Sequence, residues 1–183
     1  MKKLFALSLL ALATMLSSTA YAQKPVTVGG APMFPNKNII ENAVNSKDHT
    51  TLVAAVKAAG LVEALQGAGP FTVFAPVNAA FDALPAGTVD TLLKPENKGT
   101  LTSVLTYHVV AARLNSKGLE RMIKQGGGRA MLKTLQGGEL TATISGDDIN
   151  ITDSKGNMAR ITITNVNQSN GVIHVVDRVL LPQ

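Results

Sequence analysis

The chain has 183 residues, with 17 Lys and Arg against 12 Asp and Glu, so its formal net charge is +5. It contains no cysteine, which excludes disulfide bonds, thiolate metal sites and a lipid anchor on an N-terminal cysteine. The length suits one domain with one hydrophobic core, and no segment of 20 to 50 residues repeats.

The N-terminus has the pattern of a bacterial secretory signal peptide. Lys2 and Lys3 precede an apolar run from Leu4 to Leu16, and Ala20-Tyr21-Ala22 has the form of a cleavage site. We expect cleavage after Ala22 and a periplasmic or secreted location. The mature chain then carries 15 basic and 12 acidic residues, a net charge of +3. It holds no run of 18 apolar residues, so no transmembrane segment is expected in it.

The mature chain divides into a predicted flexible leader, residues 23–35, and one domain, residues 36–183. The leader contains several prolines and glycines, which do not suit a regular helix or a central strand. They are Pro25, Gly29, Gly30, Pro32 and Pro35. From residue 38 apolar residues recur at helical spacing.

Helices are predicted first and strands afterwards. We expect Thr50 or Thr51 to cap a helix that ends at Gly60. We expect Ser116 to cap a later helix. Between them, residues 71–75 suit a buried strand, and residues 88–93 and 100–106 suit short helices. Beyond residue 128 apolar and polar residues alternate, which predicts strands at 130–132, 140–144, 149–151, 161–163 and 173–175. Helices followed by antiparallel strands indicate an α+β fold.

Three segments resemble a known family. They are Phe71-Thr-Val-Phe-Ala-Pro with Asn78 and Phe81, the pair Tyr107-His108, and Asn170-Gly-Val-Ile-His-Val-Val-Asp followed by Val-Leu-Leu-Pro182. In this order they are similar to the first signature, the Tyr-His pair and the second signature of the fasciclin (FAS1) domain. Val77 and Ala79 depart from the family pattern, which usually has Thr and an acidic or polar residue there.

The resemblance implies a FAS1-like α+β fold, with a helix-rich N-terminal half packed on an antiparallel or mixed β-sheet core shaped as a sandwich or wedge. It also implies that the two signatures form adjacent strands of that core. Their residues are then structural: Phe71, Phe74, Pro76, Asn78, Phe81, Asn170, Gly171, Ile173, His174 and Asp177.

The sequence predicts no enzyme, no cofactor and no metal site. It lacks a Gly-x-Ser-x-Gly elbow, a phosphate-binding loop and a His-Glu-x-x-His motif. The histidines, His49, His108 and His174, are too scattered to predict zinc ligation. A triad of Ser103, His108 and Asp177 is conceivable, but the spacing does not require one. Residues 147–157 offer oxygen ligands for calcium without the EF-hand order, so hairpin turns are the favoured interpretation.

One stretch of the chain is strongly basic. Its only acid is Glu120, and its cations are Arg113, Lys117, Arg121, Lys124, Arg129 and Lys133. Such a stretch attracts polyanions, although a solvated helix face and strand start is the plainer interpretation. It has no interleaved aromatic residues for base stacking, so nucleic acid is not an expected partner.

The pair Tyr107-His108 has two interpretations. In animal fasciclin proteins this region has been associated with integrin-type adhesion, so the resemblance makes both residues candidate contacts. The favoured interpretation is structural: Tyr107 is buried with its hydroxyl bonded, while His108 bonds to Asn78 or to nearby backbone.

We therefore predict a non-enzymatic binding module that adheres to cell-surface protein or polysaccharide through exposed loops and the basic segment. The candidate contact residues are the six cations together with Tyr107 and His108. The alternative function is a carrier of an apolar small molecule, a pigment or lipid, since some fasciclin domains bind apolar pigments. Its groove is expected between helices and sheet, around residues 52–65 with Met122 and Met131.

Overall fold

The computed structural model describes residues 24–183, so the predicted signal peptide lies outside the described residues. Two single turns of 3-10 helix, Lys47–His49 and Pro95–Asn97, supplement seven helices: α1 (Ile39–Ala43), α2 (Thr50–Ala59), α3 (Val62–Gln66), α4 (Asn78–Asp82), α5 (Thr88–Leu92), α6 (Lys98–Tyr107) and α7 (Ser116–Gln125). The strands are β1 (Val26–Val28), β2 (Ala31–Met33), β3 (Phe71–Pro76), β4 (Val109–Val110), β5 (Arg129–Lys133), β6 (Glu139–Ser145), β7 (Asp148–Thr152), β8 (Met158–Gln168) and β9 (Gly171–Val176). None of the helices within residues 24–183 is long and apolar enough to cross a membrane.

The predicted flexible leader is wrong for most of its described length, because residues 26–33 form a β-hairpin. Gly29 and Gly30 have φ of 58° and 77°, which matches a two-residue turn with positive φ at both central positions. Pro32 is tolerated because this small sheet has only two strands, so one side of each needs no ladder hydrogen bonds. Val28 and Met33 are buried against the domain. The domain boundary at residue 36 stays a prediction.

The other seven strands form one mixed sheet in the order β4-β3-β9-β8-β7-β6-β5. The two signature strands, β3 and β9, run parallel, with Phe71 opposite Gly171 and Pro76 opposite Val176. All other pairings in this sheet are antiparallel. The sheet edges approach one another, since Val110 of β4 bridges to Thr134 just after β5. The predicted sandwich or wedge is therefore a single sheet that almost closes into a barrel.

Alternation along β3 and β9 divides the buried residues into two cores. Val73, Ala75, Ile173 and Val175 face the first core, which the helices α1 to α6 cover. Phe74 and Val176 face the second core, inside the curved sheet, and α7 covers it with Leu119 and Ile123. Strands buried on both faces read as continuous apolar runs, which is how both signatures appear in the sequence.

Helix termini differ in detail from the predicted caps. Helix α2 has no side-chain cap from Thr50 or Thr51. Instead Oδ1 of Asn78, the first residue of α4, accepts the backbone N–H of Thr51 at 3.0 Å. The Asn78 side chain therefore caps the N-terminus of α2. It does not cap α4, whose N-cap residue is Val77. For α7 the cap is Asn115, whose side chain accepts the N–H of Gly118 at 2.8 Å, and not Ser116. Gly60 ends α2 in the left-handed conformation, as predicted.

Asn170 joins the second signature to the helical layer. Its side chain accepts the N–H of Ile39 at 3.1 Å and donates to the carbonyls of Leu65 and Gly67 at 2.8 and 2.9 Å. These bonds connect the start of β9 to the start of α1 and the end of α3. Glycine is required next, because a Cβ on Gly171 would collide with the backbone carbonyl of Phe71 across the parallel pair.

Replacing Asn170 with alanine should destabilise the fold by roughly 2 to 4 kcal/mol, because two buried backbone groups and one partly buried backbone group lose their partner. Urea unfolding monitored by circular dichroism measures the change. The matched control is Asn97→Ala, which removes one exposed hydrogen bond to the carbonyl of Thr91 and should cost less than about 1 kcal/mol. Equal losses in the two variants would contradict the assigned role of Asn170.

Candidate functional site

Helix α7 presents three cations on one face. Lys117, Arg121 and Lys124 are all exposed, while Leu119 and Ile123 on the opposite face are buried in the second core. Their spacing of four and three residues places the cations in a line, which extends over about 10 Å at 1.5 Å per residue. The helix therefore carries an exposed row of positive charge, named here the α7 basic row.

The segment that leads into α7 is held by the two signature strands. Thr72 of β3 donates its hydroxyl to the carbonyl of Ala112 at 2.5 Å and accepts the N–H of Leu114 at 2.9 Å. His174 of β9 donates Nε2–H to the carbonyl of Leu114 at 2.7 Å. Both backbone polar groups of Leu114 are thus bound to the centre of the sheet, and α7 starts from a fixed point.

Two further contacts fix the start of α7. Arg113 donates Nη2 to the carbonyls of Gln168 and Ser169 at 2.9 and 3.1 Å, so its guanidinium is bound to the loop between β8 and β9. Asn165, at an irregularity in β8 with φ of 58°, accepts the N–H of Ser116 at 2.7 Å and donates to its hydroxyl at 2.8 Å. Sequence reasoning missed Thr72 and Asn165, since a threonine in a strand and an asparagine in a polar alternation carry no distinguishing signal.

Within the described residues no salt bridge joins an acid to the α7 basic row, and the acid of the same helix is Glu120. The salt bridges found there both involve Arg160, with Asp148 at 3.6 Å and Asp177 at 3.8 Å. Lys117 and Arg121 are a like-charge pair at i, i+4, which destabilises a helix slightly, and Lys117 lies in the first turn, where the helix dipole disfavours a cation. Glu120, four residues before Lys124, and Lys124 itself in the last turn act in the opposite, stabilising direction, so the charges of α7 include both kinds of contribution.

The predicted basic stretch is divided between two surfaces. Arg129 and Lys133 are exposed on β5, where Ala130 and Leu132 point inward to the core that α7 covers. Because side chains alternate across a strand, Arg129 and Lys133 point away from α7. Six cations that are close in sequence therefore do not form one patch.

Tyr107 and His108 are not exposed contact residues, which corrects their place among the candidate interaction residues. Tyr107 is 1% exposed and His108 2%. The Tyr107 hydroxyl donates to the carbonyl of Glu139 at 2.8 Å and accepts the N–H of Ser154 at 3.0 Å. The pair links α6 to the β5–β6 and β7–β8 connections.

Both ring nitrogens of His108 bind backbone groups. Nδ1 donates to the carbonyl of Val104 at 2.8 Å, and Nε2 accepts the N–H of Leu180 at 3.0 Å, so the ring is neutral and its tautomer is fixed. The expected bond to Asn78 is absent from this set. Burial lowers the pKa of His108 to about 4, against the opposing effects of Val104 and Asp153. Burial also lowers the pKa of His49 and of His174.

The conceivable triad is not assembled. His108 has no free ring nitrogen for Ser103, and Asp177 accepts the backbone N–H of Arg160 at 2.8 Å. The oxygen-rich turn is likewise occupied by protein donors, because both carboxylate oxygens of Asp153 accept hydrogen bonds, from Lys155, Asn157 and Leu181. Residues 24–183 contain no group of three or more His, Cys, Asp and Glu placed to hold a metal ion.

A small apolar cavity of about 50 Å³ lies in the first core, between the helical layer and the sheet. Leu52, Val56 and Leu65 line it, in the region predicted for an apolar groove. Met122 and Met131 do not: Met122 packs against the second core, and Met131 is 53% exposed on β5. The predicted groove is thus present only as a cavity, and its two methionines are elsewhere.

The comparisons with known proteins agree with this fold. The sequence profile of the Fasciclin domain matches residues 47–182. The chain belongs to the fasciclin family. This fasciclin chain is 43% identical to Protein sll1483 of Synechocystis over 160 residues, covering 87% of the chain and 82% of the relative. It is 34% identical to the cell surface glycolipoprotein MPB83 of Mycobacterium bovis over 166 residues, covering 88% of the chain and 68% of the relative.

A solved structure shows the same fold at low sequence identity. It is a FAS1 domain pair from the insect cell adhesion molecule Fasciclin I, with a TM-score of 0.71 and 17% identity over 81% of this chain. The fasciclin chain spans about half of that structure, 52% of its length. Both the resemblance and the α+β FAS1-like fold inferred from the signatures are confirmed.

The buried histidines should make the fasciclin fold less stable in mild acid. A lowered pKa means that the unfolded chain takes up a proton more readily, so the contribution of His108 is complete above pH 6.5 and is lost as the pH falls toward 4. For His108 alone the loss between pH 7 and pH 4.5 should be about 2 to 3 kcal/mol. Urea unfolding at the two pH values measures it.

The His108→Gln variant separates this residue from the other two histidines. Its stability at pH 7 should be lower than that of the wild type, but its further loss between pH 7 and pH 4.5 should be smaller by about 2 to 3 kcal/mol. An identical acid-induced loss in variant and wild type would contradict the titration assigned to His108.

Proposed function

We propose that this fasciclin domain is a non-enzymatic module, periplasmic or secreted, that adheres to acidic polysaccharide at a cell surface. The observation that carries this function is the α7 basic row, formed by Lys117, Arg121 and Lys124. These cations are exposed, in line and without a salt bridge among the described residues. A linear polyanion lying along the helix axis meets all three at once.

A bound polyanion would relieve two unfavourable features of α7. Repulsion between Lys117 and Arg121, and the cation in the first helical turn, both weaken the free helix. An anionic chain along the row removes the repulsion and releases condensed counterions, which makes binding dependent on salt. The start of α7 is fixed through Leu114 and Ser116, so little entropy is lost in ordering the binding surface.

The class of partner follows from what the surface lacks as well as from its charge. The row has no aromatic residue beside it to stack a nucleic acid base. Two relatives support a surface role by their names, since MPB83 is called a cell surface glycolipoprotein and Fasciclin I a cell adhesion molecule. An acidic polysaccharide supplies repeated charge without requiring base recognition.

A second candidate function, carriage of an apolar small molecule, is favoured by the cavity in the first core. Its lining is formed mostly by aliphatic side chains, with His49, Lys57 and His108 as the polar residues. Its volume of about 50 Å³ is roughly a third of the 150 Å³ cavity that accepts benzene in an engineered protein. A whole pigment does not fit in this closed form.

Binding to immobilised alginate, a polyuronate, tests the first function. The triple variant Lys117→Gln/Arg121→Gln/Lys124→Gln should bind at least roughly tenfold more weakly at 50 mM NaCl, and the wild-type affinity should fall steeply by 300 mM NaCl. Biolayer interferometry measures both effects.

The matched control is Arg129→Gln/Lys133→Gln, which removes two exposed cations from the other surface. Its affinity should stay within about a factor of two of wild type, because these residues point away from α7. Equal loss in both variants would show that only net charge matters, and equal binding of neutral dextran would exclude recognition of acidic polysaccharide.

A further inference from the structure

The N-terminal hairpin forms one wall of the apolar cavity. Val28 and Met33, its two most buried residues at 2% and 3% exposure, both line the cavity. The opposite walls come from α1, α2 and α3 and from the centre of the sheet at Val73 and Ile173. The hairpin lies outside residues 47–182, the part that matches the Fasciclin domain. It therefore precedes the residues matched by the family profile and covers an apolar space that those residues help to form.

The hairpin is attached differently at its base and at its tip. At the base, Asn42 accepts the N–H of Phe34 at 3.0 Å and donates to its carbonyl at 2.8 Å, and the Asn42 side chain is fully buried. At the tip, one backbone hydrogen bond joins the N–H of Lys47 to the carbonyl of Gly29 at 3.2 Å. The base is suited to act as a hinge and the tip to detach.

We propose that the β1–β2 hairpin is a lid over a binding site for a single hydrocarbon chain, such as the acyl chain of a lipid. This inference rests on the second candidate function and is independent of the α7 basic row. When the tip detaches from residues 46–48, Val28 and Met33 leave the first core and the cavity becomes a groove. The hydrocarbon chain then occupies the space that these two side chains filled.

A bound hydrocarbon chain can replace the apolar surface that the hairpin buries. Burying a valine or methionine side chain stabilises a protein about as much as burying two to four methylene groups. A chain that buries roughly four to eight methylenes therefore offsets the removal of Val28 and Met33. The two-stranded hairpin is too small to be stable by itself, so its displacement also unfolds or loosens it.

Gly29 and Gly30 provide a matched pair of variants. Both have positive φ, so alanine strains the backbone at either position. A Cβ on Gly29 would also collide with the backbone nitrogens of Lys47 and Asp48, whereas a Cβ on Gly30 meets no atom within 4 Å. Gly29→Ala therefore detaches the tip without truncating any side chain that lines the cavity, and Gly30→Ala controls for backbone strain.

The experiment titrates the mature protein with cis-parinaric acid, a linear fatty acid that fluoresces when bound in apolar surroundings. Gly29→Ala should bind it at least tenfold more tightly than wild type, and Gly30→Ala within a factor of two to three of wild type. Adding Ala43→Leu to Gly29→Ala places a larger side chain in the cavity and should abolish the gain. If Gly29→Ala does not fold, Met33→Ala replaces it, with the exposed Met158→Ala as its control.

Hydrogen exchange distinguishes a lid from a simple cavity. With cis-parinaric acid bound, the amides of residues 26–33 should exchange faster and those of α2 more slowly. Binding with unchanged hairpin exchange, or equal affinities of Gly29→Ala and Gly30→Ala, overturns the lid while leaving carriage in place. Absence of binding in wild type, Gly29→Ala and Met33→Ala overturns both the lid and the carrier function.

Discussion

The parallel pairing of β3 with β9 is the constraint on which the rest of the described structure depends. About a hundred residues separate Phe71 from Gly171, yet they lie opposite one another at the start of the pair. Parallel strands are buried on both faces, so this one pairing must supply apolar side chains to two cores at once. Val73 and Ile173 serve the helical side, and Phe74 and Val176 serve the side that α7 covers.

Burial of β3 and β9 on both faces also requires the polar residues in these strands to be hydrogen-bonded. A threonine or histidine on a doubly buried strand must find a partner, because an unpaired buried polar group is costly. Thr72 and His174 find theirs in the backbone of the segment before α7. His174 also stacks on Phe74, with ring centroids 5.9 Å apart. Satisfying buried polar groups thus fixes the segment from which the basic helix begins.

The parts of the fold that follow from local pattern could be predicted from sequence. Strands β5 to β9 were expected from alternation, and α5, α6 and the end of α2 at Gly60 from helical spacing and capping. The family signatures added the adjacency of β3 and β9, which no local pattern contains. The near closure of the sheet depends on the bridge between Val110 and Thr134, and nothing in either segment indicates it.

The candidate sites were predicted less well, for identifiable reasons. A stretch of six cations suggests one patch, but the turn after α7 places Arg129 and Lys133 on another surface. The direction of that turn cannot be inferred from the closeness of the residues in the sequence. The pattern Gly29-Gly30 with Pro25, Pro32 and Pro35 was interpreted as a leader because prolines and glycines disfavour regular structure. The same two glycines are what a tight hairpin requires, and only the burial of Val28 and Met33 decides between the interpretations.

The division into two cores also separates the two kinds of binding that we propose for this chain. On the α7 side the proposed function depends on the charges that the helix exposes. On the helical side a cavity remains, and its cover comes from residues before the matched domain. The signature strands lie between these regions. They line the cavity with Val73 and Ile173, and they bind the segment before α7 through hydrogen bonds to Leu114. Their residues identify the family because they cannot change without disturbing two cores. In the functions that we propose, ligand choice depends on α7 and the hairpin, which the signatures support but do not specify.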